Sequence, residues 1–116
     1  MTKDIKALTE KLRAFAKARD WAQFHSPKNL ACALCAESGE LLENFQWLTE
    51  EQSRQLTDKQ KSAVATEIAD VFLYLLQLSD ALSIDPLLAA ADKLEINEQR
   101  YPVERARGNA KKYTDL

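Results

Sequence analysis

Apolar residues recur along this chain at helical spacing, and four helical segments follow from the pattern. In the first, from about Thr2 to Asp20, Ile5, Leu8, Leu12 and Phe15 make a one-sided stripe. Pro27 predicts a loop over Trp21 to Lys28, which is rich in aromatics for a plain connector. A second helix is expected from about Asn29, a candidate N-cap, to Leu48, with Leu34, Leu41, Phe45 and Leu48 on one face. After a short turn near Thr49 to Gln55, the third runs from about Thr57 to Leu82 and spans roughly 39 Å. Asp85-Pro86 is a strong start signal for the fourth, which should end near Arg100, before Tyr101-Pro102. The tail from Val103 to Leu116 is basic in its middle and carries no predicted element. The expected architecture is all-α and four-helix bundle-like.

Projected at 100° per residue, the third segment is apolar on two sides. Val64, Ile68, Val71, Leu75, Leu78 and Leu82 fall on one, and Ala69, Leu73 and Leu76 on another. Four short helices cannot wrap such a helix completely. A homo-oligomer, dimer or tetramer, is therefore expected, with an interface at or near Leu73 and Leu76.

At 116 residues the chain is expected to form one domain, 1–116. Two Gly and three Pro leave too little turn material for a many-stranded sandwich or barrel. A net charge of −2 argues against a nucleic-acid partner. Lys3, Asp4 and Lys6 interrupt any signal-peptide core, and the longest apolar run, Val71 to Leu76, is too short to span a bilayer. A soluble, cytoplasmic protein without a membrane partner is expected. Cys32 and Cys35 have no second pair to complete a zinc site and are expected to act as small packing residues.

The chemistry lies in carboxylates. Glu67 and Asp70 are three apart on the third segment, in a polar strip with Gln60, Tyr74 and Gln77 that borders the apolar face. Glu37 and Glu40 repeat the spacing on the second, beside Ala33, Asn44 and Trp47. Antiparallel packing would bring four acids together, with no Lys or Arg within a turn on either strip. Such acids repel unless neutralised, and clustered hard oxygens suit Mg²⁺ or Mn²⁺. Missing Glu-x-x-His elements disfavour a di-iron site.

Glu37-x-x-Glu40, 26 intervening residues, then Glu67-x-x-Asp70 resembles the metal motif of the all-α NTP pyrophosphohydrolases, the MazG-like superfamily. Phe24-His25-Ser26-Pro27-Lys28-Asn29-Leu30, Phe45-Gln46-Trp47, Lys93 with Asn97, and Gln99-Arg100-Tyr101-Pro102-Val103 resemble its dCTP pyrophosphatase branch, as does the tail around Arg107-Gly108 and Lys112-Tyr113-Thr114.

The resemblance implies a MazG-type fold and Mg²⁺-dependent hydrolysis of a nucleoside triphosphate between the α- and β-phosphates, with Mn²⁺ as a substitute. The substrate would be dCTP or a modified dCTP, in house-cleaning of the nucleotide pool. It further implies metal binding by Glu37, Glu40, Glu67 and Asp70, with Glu37 or Glu40 also orienting the attacking water. Lys93, Asn97 and Arg100 would bind the phosphate chain. Trp21, Phe24, His25, Trp47 and Tyr74 would form the base pocket. Broad or dUTP-directed specificity, and an inactive helical interaction module, are the alternatives.

Overall fold

The structure, a computed structural model, describes residues 4–116. They divide into two compact units, one ending at Ser83 and the other running from Ile84 to Leu116. The first holds α1 (Ile5–Ala18), α2 (Pro27–Glu43), the single turn α3 (Glu50–Ser53) and α4 (Asp58–Ala81). The second holds α5 (Pro86–Arg100) and the single turn α6 (Val103–Ala106). No strand occurs among the described residues.

Each boundary has a local cause. The Asp4 carboxylate accepts from the Ala7 amide and starts α1; the expected start at Thr2 lies outside the described residues. Ser26, not Asn29, caps α2, and Pro27 takes the first turn, where its missing N–H costs nothing. Pro27 thus opens a helix within the segment expected to be a loop. What remains of that segment is a 3-10 turn, Ala22–Phe24, pinned where the Asn29 side-chain amide donates to the Phe24 carbonyl. At its head Asp20 adopts φ +54°, a left-handed residue that turns the chain out of α1.

Thr49 and Thr57 head α3 and α4 with full capping boxes, returned by Gln52 and Gln60. α2 ends at Glu43, five residues short of the expected Leu48, because turns close over Asn44 to Leu48. Ser83, at φ +54°, closes α4. In the second unit Asp85 caps α5 as expected, and Gly108, at φ +79°, occupies a conformation suited to glycine.

Within the first unit α4 packs chiefly on α2 and secondarily on α1. A bidentate ion pair ties α1 to α4: Arg13 Nε donates to Asp80 Oδ2 at 2.7 Å and Nη2 to Oδ1. The pair holds Asp80 below its ordinary pKa and Arg13 above its own.

The core is sparse. Leu30 and Leu76 are the large side chains that are fully buried among the described residues. Leu76 therefore belongs to the interior of the first unit, and Leu73 is half-buried. Contrary to expectation, Leu76 is thus not available to another subunit, whereas Ile68, Phe72 and Leu75 on α4 remain exposed, at 53%, 38% and 41%. Cys32 and Cys35 are free and exposed, not packed as expected. By length and average hydropathy α4 is sufficient to cross a membrane, although its longest apolar run is short.

Candidate active site

α2 and α4 place the acids. Helical i,i+3 spacing sets Glu37 beside Glu40 and Glu67 beside Asp70. Glu37 meets Asp70 and Glu67, while Glu40 and Glu43 act on Glu67, so the two helices run antiparallel as expected. Carboxylate oxygens of Glu37, Glu67 and Asp70 lie within 4.8 Å of one another, all three side chains half-buried. Glu40 is exposed beside them and is the strongest influence on Glu37.

The cluster is electrostatically unresolved. Glu37 Oε2 and Glu67 Oε2 are buried without a hydrogen-bond partner. The Glu40 hydrogen bond, then burial and the neighbouring charges, push the Glu37 carboxyl up to about 7. Burial, then Glu40 and Asp70, raises Glu67. Among the described residues no Lys or Arg forms an ion pair with any of the four. Two donorless oxygens amid an all-oxygen donor set fit a small hard divalent cation, which would replace the missing positive charge.

Beside the cluster opens a cavity of about 330 Å³. Trp21, His25, Tyr74 and Asp70 line it, with Phe15 and Gln77. Phe15 and Trp21 meet edge to face at 5.6 Å, and Trp21 and His25 at 6.3 Å. The Arg19 guanidinium covers the outer face of Phe15, 3.7 Å from its ring centre.

Three of the five aromatic candidates thus meet, and they meet at an acid of the cluster. Phe24 and Trp47 do not line this cavity and are 59% and 87% exposed. Trp47 was expected on the strip of Glu37 and Glu40, but α2 ends before it. Lys93, Asn97 and Arg100 lie on α5, in the second unit, at a spacing that aligns them on one face. There Arg100 stacks over the Tyr113 ring at 4.5 Å.

Phe15 and Glu43 escaped the sequence reading. Phe15 continues the apolar stripe of α1, so its pattern is that of a core residue, yet it is 47% exposed. Glu43 is a further three residues along the Glu37-Glu40 strip, a spacing that marks it as a neighbour of the acids.

Three similarities bear on this arrangement. The chain is 46% identical to dCTP pyrophosphatase 1 of Mus musculus and 42% identical to that of Homo sapiens, each over 104 residues and 88% of this chain. It spans only about three-fifths of the length of these curated relatives, 61% in each case. The crystal structure of a pyrophosphatase from Archaeoglobus fulgidus superposes with a TM-score of 0.81 at 40% identity, covering 88% of this chain and 95% of that one. The MazG-like family model matches residues 32–116, a stretch that contains all four acids, and the chain belongs to the MazG-like family.

Proposed function

We propose that the chain is a nucleoside triphosphate pyrophosphohydrolase, releasing a monophosphate and pyrophosphate, with dCTP or a modified dCTP as preferred substrate and Mg²⁺ as cofactor. The observation that carries this reading is the double membership of Asp70. It belongs to the carboxylate cluster and also lines the aromatic cavity, so a phosphate chain at the acids leaves a flat base facing Trp21 and Tyr74. The dCTP-acting relatives support the choice of base.

Glu37, Glu40, Glu67 and Asp70 are assigned to the metal. Bound there, a divalent cation supplies Lewis acidity and neutralises phosphate charge. Glu37, whose carboxyl Glu40, burial and the neighbouring acids push up to about 7, or Glu40 beside it, is assigned to orient and deprotonate the attacking water. Trp21, His25 and Tyr74 stack on and bound the base, each stacked ring contributing ~1–3 kcal/mol. Lys93, Asn97 and Arg100 are assigned to the phosphate chain, and Phe24 and Trp47 to the outer wall of the base site. Residues 1–116 are taken as one functional domain acting as a homo-oligomer, and the exposed apolar face of α4 supports the assembly. α4 bears Glu67 and Asp70 along its length and packs on α2, which supports a soluble, cytoplasmic protein over a membrane-spanning one.

The deciding experiment is pyrophosphate release from dCTP, dUTP, dTTP, dATP and dGTP with Mg²⁺, Mn²⁺ or chelator. Metal-dependent release, fastest from dCTP, is expected. Equal rates on all five would replace dCTP preference by broad specificity. No release from any would leave a helical interaction module.

A further inference from the structure

Gln60 of the polar strip of α4 is taken up by the Thr57 cap, which leaves Gln77 as the strip's side chain without a role. Gln77 follows Tyr74 by three residues and Asp70 by seven, so the three share one side of the helix. It is half-buried and lines the aromatic cavity. It also lines a neighbouring cavity of about 370 Å³, and His25 and Leu12 share that position between the two. No described residue hydrogen-bonds to its carboxamide. Two donors and an acceptor are thus presented, unengaged, to a cavity walled by rings and aliphatic carbons. The carboxamide is not among the buried unpartnered groups, so it stays open to the cavity and free to exchange water for the polar edge of a ligand.

We propose that Gln77 reads the hydrogen-bonding edge of the bound base, an inference that rests on the nucleotide reading above. From Asp70 to Gln77 the helix rises roughly 10 Å, with Tyr74 between them. That order matches a nucleotide laid along the helix: phosphates at Asp70, the ring against Tyr74, the polar edge at Gln77. On cytosine, Nε2–H donates to ring N3 while the exocyclic amine donates to Oε1. These are two parallel bonds, the geometry with which a carboxamide recognises adenine elsewhere. A base that lacks the exocyclic amine loses the bond to Oε1, and the analogue is disfavoured by about the worth of one hydrogen bond.

The test compares dCTP with the triphosphate of 2-pyrimidinone deoxyriboside, which lacks only that amine. Wild-type protein is expected to favour dCTP by about 10-fold in kcat/KM. Gln77→Met, of similar length and without the amide, should erase the preference, and Gln77→Ala should do the same. Calorimetric titration with the two corresponding monophosphates repeats the comparison without catalysis. A preference unchanged in both variants overturns the role of Gln77, as does a wild-type protein with no preference. Failure to bind either monophosphate, together with no release of pyrophosphate from any triphosphate, overturns the nucleotide reading itself.

Discussion

Glu67 concentrates the conflict of the site. One of its oxygens is buried without a donor while three other carboxylates act on it, Glu40, Asp70 and Glu43. Glu67→Gln relieves that repulsion but removes a charge that a cation requires. The expected outcome is a higher melting temperature in chelator and a fall in kcat/KM of at least about 100-fold with Mg²⁺. A variant that is active and no more stable than wild type contradicts the assignment.

Glu37 makes a prediction in pH. Its carboxyl is pushed up to about 7 from an ordinary value of 4.5, first by the hydrogen bond with Glu40. Between those values the folded chain holds a proton that the unfolded chain has released. The contribution is fully present below about 4.5 and is lost as pH rises to about 7, above which it levels off. Asp80, lowered by Arg13, acts in the opposite sense, losing its contribution as pH falls below the ordinary carboxylate value of 3.8. Melts of metal-free protein across the upper window should therefore show a decline that Glu37→Gln flattens. Parallel curves for the two proteins would show that Glu37 does not titrate in this way.

At the scale of elements, what was legible followed helix geometry. Glu37 met Glu67 and Asp70 across α2 and α4, with Glu40 exposed beside them, because i,i+3 spacing and antiparallel packing leave few other arrangements. The end of α2 was not legible, since Asn44 to Leu48 carry a helical apolar pattern that local turns override, and Trp47 went with them. The start of α2 was present in Ser26-Pro27, where the same Pro signals either a break or a first helical turn. Which face of α4 stays open depends on neighbouring helices, so projection alone misplaced Leu76.

Ser26→Ala tests how this capping supports the site. Losing the bond to the Asn29 amide should cost ~1 kcal/mol and loosen the turn that carries Trp21 and His25. KM for the preferred nucleotide should then rise more than kcat falls. An unaltered KM in a destabilised variant would separate the cap from the cavity. Gly39 offers a second probe, because a Cβ there meets nothing within 4 Å. Gly39→Ala should stabilise the helix by ~0.5–1 kcal/mol, and destabilisation instead would mean that another chain approaches α2 at that point.

For the whole molecule the decisive feature is the exposed face of α4, where Ile68, Phe72 and Leu75 lie in line at helical spacing. Apolar surface of this kind suits the proposed association face. Light scattering should report at least a dimer at micromolar concentration, and Phe72→Lys should lower the mass while leaving helicity intact. A wild-type monomer excludes this face as the interface.

The sparse interior has a thermodynamic corollary. With Leu30 and Leu76 as the fully buried large side chains among the described residues, a single chain draws little of its stability from its own interior. If the chain associates through the open face of α4, folding and association become one equilibrium, governed by mass action. The midpoint of thermal unfolding should climb as protein is added, and dilution alone, without heat or denaturant, should favour unfolding.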